Sequence, residues 1–225
     1  VDFMLRSIFH WGYPVKGDKD VPLMDKRFQS ELEIFVRKFA WAHHLKDKPW
    51  KNSPVIVDIG ARNFTSATVL EKIFVEIGTL PEIHGIEIDA YRRLSNFHTR
   101  KDYGDYYARK TGKGYYHAMD FLEFNQPMHI AFLLNPFVTE DPLLDWGLPG
   151  RALKPDDIFK RTYDLLKGQK GLCLLSCPCP EEYAVALSIA DRVGFVRGQK
   201  AEWHPQKDSV QGQPRYGILL KTALS

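Results

Sequence analysis

The run Val55-Ile-Val-Asp58-Ile-Gly60-Ala61-Arg62-Asn-Phe64-Thr-Ser66 constrains the fold of this chain more than any other. An apolar, β-branched segment ends in an acid and a glycine. A turn bearing Ser and Thr then opens into a helix-like stretch from Thr65 to about Ile77, closed by Gly78. Continuous apolar strands of this kind belong in a sheet buried on both faces. A second strand, Ile83–Ile88, carries His84-Gly-Ile-Glu87-Ile88-Asp89 and also ends among acids. Strand, tight turn, helix and strand make a β-α-β unit. Its turn brings backbone close to a ligand, and its second acid can accept hydrogen bonds from a ribose. Arg62 and Phe64 stand where a nucleotide-binding loop would carry glycine.

The same alternation continues along the chain. A helical stretch is expected from Tyr91 to about Lys110, then a strand at Tyr115–Met119 ending in Asp120 and a fourth at Ile130–Leu134 ending in Asn135-Pro136. Pro155-Asp156-Asp157 reads as a helix start, with carboxylates at the positive end of the helix dipole. A fifth strand follows at Gly171–Ser176 and a helix at Glu181–Val193, ended by Gly194. Phe195–Trp203 and Tyr216–Thr222 have no helix between them and are expected to pair antiparallel across a polar loop. Before the first strand, Phe28, Leu32, Phe35 and Phe39 recur at helical spacing. The pattern predicts an N-terminal helical extension over residues 1–54 and an α/β domain over 55–225. That domain is a Rossmann-like three-layer α/β/α sandwich with a mostly parallel seven-stranded sheet and a C-terminal antiparallel strand pair.

Composition limits the function. The 225 residues are 44% hydrophobic and 26% charged, as in ordinary globular proteins, and the net charge of +3 implies no polyanionic partner by itself. Charged residues interrupt every apolar run long enough to span a bilayer, and the N-terminal residues lack the apolar core of a secretory leader. The three cysteines, Cys173, Cys177 and Cys179, do not have four-ligand zinc spacing, and their odd number argues against a disulfide framework. A cytoplasmic protein without a metal site is expected.

The succession resembles the S-adenosylmethionine-dependent methyltransferase superfamily over about Val55 to Thr222. Val57-Asp58-Ile59-Gly60 resembles its first motif, and Gly85-Ile-Glu87-Ile88-Asp89 its second. Leu165-Leu-Lys-Gly-Gln-Lys-Gly171 resembles its turn into the fifth strand. The resemblance implies that Asp58, Gly60, Ala61 and Arg62 lie against the methionine part of the cofactor. By the same likeness Glu87 and Ile88 meet the ribose side, Asp120 and Phe121 flank the adenine, and Asn135 faces the methyl-donor site as the catalytic candidate. Asn135-Pro136-Phe137 is similar to the Asn-Pro-Pro-aromatic motif of amino-group methyltransferases but lacks its second proline, so that specificity is not carried over. Arg62 either blocks the amino-acid end of the cofactor or binds a carboxylate bidentately.

The Val138–Gly150 segment is expected to be a long irregular loop facing the substrate, with Glu140, Asp141 and Trp146 as contacts. Between Tyr91 and Lys113, Arg92, Arg93, Arg100, Lys101, Arg109, Lys110 and Lys113 alternate with tyrosines. Such a mixture can contact nucleic acid, but Asp102 and Asp105 interrupt it, and a solvated helix face is the preferred reading. The motifs specify the donor, not the acceptor, which is a small molecule or a macromolecule; nucleic acid is the less favoured partner and a membrane is not expected. Two other readings remain: a methyltransferase-like scaffold that has lost catalysis, motivated by the missing glycines, and a nucleic-acid-modifying methyltransferase.

Overall fold

The computed structural model describes residues 15–203 and 215–223. A seven-stranded sheet has the order β3-β2-β1-β4-β5-β7-β6. Its strands are β1 (Val55–Ile59), β2 (Glu82–Ile86), β3 (Gly114–His117), β4 (Ile130–Leu134), β5 (Leu172–Cys177), β6 (Phe195–Trp203) and β7 (Arg215–Thr222). Neighbours β1 to β5 pair parallel, whereas β7 runs antiparallel to both β5 and β6. The closing pair is therefore antiparallel, as the missing helix implies; the polar loop expected between its strands lies outside the described residues.

Helices cover both faces. On one side are α1 (Leu23–Arg37), α2 (Trp41–Leu45), α3 (Ser66–Glu76) and α4 (Arg100–Lys110); on the other are α6 (Pro155–Lys167) and α7 (Pro180–Val193). A short α5 (Glu140–Asp145) follows β4 at the end of the sheet. The first layer buries Phe35 of α1, Trp41 of α2 and Phe74 of α3 against Ile56 and Phe132, and the second buries Phe159 and Ala186 against Val57 and Leu175. Alternate residues of each central strand thus serve opposite cores, which is why these strands read as continuous apolar runs. Among the described residues no helix is long and apolar enough to cross a membrane.

Three local expectations change. Residues 91–99 are not helical: a bridge joins Arg93 to Thr99, and Phe97 turns the chain at φ 68°. The helix begins only at Arg100, because Thr99 and Asp102 close a reciprocal capping box. The 138–150 segment is not wholly irregular either, since Glu140 and Asp141 favour a first helical turn and buried Leu143 anchors α5. Finally, the second strand ends at Ile86 rather than Ile88, so Glu87 leaves the sheet and turns toward the loop after β1.

That loop is wound tightly. Gly60, Arg62 and Phe64 have φ of 76°, 52° and 61°. The last two occupy a left-handed region that costs a non-glycine residue about 1–2 kcal/mol each. Packing holds Phe64 there. Its fully buried ring packs against β2, where a Cβ on Gly85 would come within 2.4 Å of it. Replacing Gly85 with Ala should force the ring aside and lower unfolding free energy by about 1–3 kcal/mol in urea titrations; an unchanged midpoint would mean that the ring is not pinned.

Candidate functional site

The strand order reverses between β1 and β4, and open α/β sheets place ligands at such a point, outside the carboxyl ends of the strands. A cavity of about 1230 Å³ opens there. The β1 end and its loop contribute Asp58, Gly60, Ala61, Arg62 and Asn63, and the β2 end contributes Glu87, Ile88 and Asp89. Asp120 and Phe121 enter from the β3 end, Asn135 and Pro136 from the β4 end, and Trp146 from beyond α5. Met24, Arg27 and Phe28 of α1 and Arg215 of β7 close the far side.

Glu87 organises this floor. Its Oε2 accepts from the Arg62 backbone N–H at 2.8 Å and its Oε1 from that of Asp89, also at 2.8 Å. Its own N–H donates to the His117 carbonyl, tying β3 into the same corner. The Gly60 and Ala61 amides both donate to the Ile86 carbonyl, at 2.9 and 3.0 Å, which clamps the glycine turn onto β2. Each carboxylate oxygen can accept more than one bond, so Glu87 keeps capacity for a ligand hydroxyl.

Asp58 is the other central acid. It is 2% exposed; Ser66 donates its hydroxyl to Oδ2, and Oδ1 is buried with no partner among the described residues. Burial, opposed by the Ser66 bond and reinforced by the charge of Glu87, pushes its pKa up to about 7. A half-satisfied carboxyl on a cavity wall is costly without a ligand and suited to receive a positively charged or hydrogen-bond-donating group. Asn135 repeats this motif at the β4 end: its Oδ1 is buried and unpartnered, and its backbone turns at φ 56°.

Asp120 performs two tasks. Its Oδ1 accepts from the Leu122 amide at 2.9 Å, capping a 3-10 turn at Phe121–Glu123, while the residue lines the cavity. Ile88, 41% exposed, offers an apolar surface to the same space. Of the residues assigned to the loop after β4, Trp146 lines the cavity. Glu140 and Asp141 lie on the exposed side of the first turn of α5, outside its wall.

Several residues in or around the cavity take places that their sequence pattern did not indicate. Arg100, expected on a solvated face, is only 4% exposed: it reaches Asp89 at 3.2 Å and lies 3.8 Å from Glu87. Arg92 also pairs with Asp89. The Trp146 indole sits among three guanidiniums, 4.7 Å from that of Arg62, 4.6 Å from Arg100 and 5.6 Å from Arg92. The tyrosines of α4 face inward, with Tyr103, Tyr106 and Tyr107 all buried, and Lys101 and Lys110 pair with Asp105 and Asp18. Those rings are not available for base stacking. Asn63 donates to both oxygens of buried Asp25, joining the loop to α1. The Thr99-x-x-Asp102 capping signal was readable and would have placed Arg100 in the first turn beside the β2 acids; nothing in the sequence marks Arg215.

No protein-family model matches the chain, and no curated protein matches it in sequence. Solved structures do match. A magnesium protoporphyrin IX methyltransferase from Synechocystis, solved with bound S-adenosylmethionine, superposes with a TM-score of 0.56 at 11% identity, covering 98% of this chain and 91% of that one. A protein from Pyrococcus horikoshii described as an RNA methyltransferase gives 0.55 at 14%, covering 99% and 97%. A class I S-adenosylmethionine-dependent methyltransferase from Listeria monocytogenes gives 0.59 at 10%, covering 91% and 63%.

The raised pKa of Asp58 has a direct consequence for stability. The unfolded carboxyl ionises near its ordinary value of 3.8 and the folded one near 7, so over that window the folded state holds more protons. Its contribution to stability therefore falls as pH rises from about 4 to 7 and levels off above. Asp58→Asn, which can still accept from Ser66, should flatten that part of a urea-unfolding profile measured between pH 4 and 8. An unaltered slope would assign it to other groups. The chain has the Rossmann-like fold found in S-adenosylmethionine-dependent methyltransferases.

Proposed function

We propose that this protein is an S-adenosylmethionine-dependent methyltransferase. The observation that carries the reading is the buried, half-partnered Asp58 carboxyl, placed with Glu87 and Asn135 around a cavity at the switch point of this sheet. When bound, the cofactor supplies a sulfonium-activated methyl group. The residues fit it: the free Oδ1 of Asp58 suits its ammonium, and the remaining acceptor capacity of Glu87 suits its ribose hydroxyls. Asp120 and Phe121 with Ile88 suit its adenine. Phe64 does not compete for that space, because its ring is packed beneath the loop.

Methyl transfer is a displacement in which alignment supplies much of the rate, and a base is needed only when the nucleophile holds its proton tightly. The residues of this chain therefore act mainly by positioning. Asn135 presents an unpartnered amide oxygen that can orient an N–H or O–H of the acceptor. Trp146 and the α5 segment border the space where that acceptor enters. The free Cys173, Cys177 and Cys179 suit a reducing, cytoplasmic setting. A non-catalytic binding role is the second reading, favoured by the strained, glycine-poor loop; binding of the cofactor with no transfer to any acceptor would support it.

Calorimetry with S-adenosylhomocysteine tests the first step. Binding at micromolar to tens of micromolar concentration is expected, and no heat at millimolar ligand would sink the reading. Glu87→Gln should weaken binding about tenfold or more, since a hydrogen bond to a charged group contributes about 1.5–3 kcal/mol. Because its NH2 cannot accept one of the two backbone N–H groups, binding is measured at a temperature where the variant remains folded. Affinity should also fall as pH drops below 7, because a ligand ammonium favours the ionised form of Asp58, which protonation removes.

A further inference from the structure

Arg62 and Arg215 are two guanidiniums in one cavity with no hydrogen-bonded or ion-paired partner among the described residues, unlike Arg92 and Arg100 beside them. Arg62 rises from the loop after β1. It is reached by solvent through the cavity, yet the surrounding protein lowers its pKa, and the charge of Arg215 lowers it further. Asp25 and Glu87 attract it, but the Asp25 carboxylate is occupied by the Asn63 amide and that of Glu87 by backbone N–H groups. Arg215 begins β7; burial lowers its pKa while Glu31 attracts it from beyond ion-pair distance, and its guanidinium lies 5.7 Å from the Phe28 ring.

Two further facts give the pair a direction. Arg62 holds a left-handed backbone, φ 52°, that glycine would adopt without strain. A strained residue of this kind at a ligand loop points to a use for its side chain. Its side chain lies against the Trp146 indole, which limits its freedom and aims it into the cavity. The second fact is spacing. β4 and β5 separate β1 from β7, so the two backbones stand three strand intervals apart, about 14 Å. Both arginines line one cavity and the charge of Arg215 acts on Arg62, so side chains as long as these can take one small anionic group between their heads.

We propose that Arg62 and Arg215 form a two-guanidinium clamp for a carboxylate or phosphate group of the methyl acceptor. Met24 and Phe28 of α1 supply an apolar wall for the rest of that molecule. Asn135 lines the same cavity, so the clamp holds the acceptor's anion while its nucleophile faces Asn135. This assignment rests on the methyltransferase reading, but the clamp itself can be tested apart from it.

The test uses the protein saturated with S-adenosylhomocysteine, titrated with phenyl phosphate, benzoate and neutral benzamide, and followed by saturation-transfer NMR and calorimetry. Both anions should bind and benzamide should bind at least tenfold more weakly. Arg215→Gln and Arg62→Gln should each reduce anion binding tenfold or more, with melting temperatures near that of the parent. Equal binding of benzamide, or anion binding that survives both substitutions, overturns the clamp. A second arm compares S-adenosylhomocysteine with 5′-methylthioadenosine, which lacks the amino-acid end. If Arg215→Gln weakens only the former, the clamped carboxylate belongs to the cofactor and the acceptor assignment falls. If the parent binds no S-adenosylhomocysteine while phenyl phosphate still binds through both arginines, the clamp stands and the methyltransferase reading fails.

Discussion

The carboxylate of Glu87 is the joint on which the site depends. It takes one backbone amide from the loop after β1 and one from the turn after β2, so two segments that the sheet merely sets side by side become one surface. Without it the loop amides at Arg62 would face a cavity unpaired, and unpaired buried donors are rare because they are costly. The same acid raises the pKa of Asp58 through its charge and lies within reach of Arg100, so the protonation of the floor and the order of the wall are linked. A site formed this way has its floor fixed by backbone hydrogen bonds to one side chain.

The elements of the central sheet were legible because their physics is local. β1 and β4 each have the span expected from their apolar runs, and helix ends marked by Gly78, Pro155 and Gly194 fall within a residue or two. Legibility failed where a segment's conformation is decided by side-chain pairing at its ends. Residues 91–99 carry the composition of a helix. Yet Asp89 draws in Arg92, and the Thr99–Asp102 box opens the true helix nine residues later than Tyr91 suggests. The floor of the site was also legible, since Asp58, Glu87, Asp120 and Asn135 sit at strand ends, and a strand end in this fold is a position in the cavity. Its far wall was not. Arg215 and Phe28 come from segments nearly two hundred residues apart, and only the antiparallel return of β7 brings them together.

Acids and arginines share the cavity. The acids stand at the strand ends, and the Trp146 indole sits among three arginines drawn from two loops and the start of α4. Delocalised guanidiniums tolerate such crowding better than ammonium groups because they are weakly hydrated and stack on aromatic faces. This suits a cluster whose cations around the indole, among the described residues, are all arginines.

The contact between Phe64 and Gly85 carries a historical implication. The glycine missing from the loop is present on the neighbouring strand, where bare backbone makes room for the ring. A lineage moving from a glycine-rich loop to this one had to clear the strand before it could fill the loop. A lineage moving back would have to empty the loop before the strand could regain a side chain. The two positions can therefore change in only one order in each direction, and a pairwise signal between them would record that path in relatives too distant for their loops to be aligned.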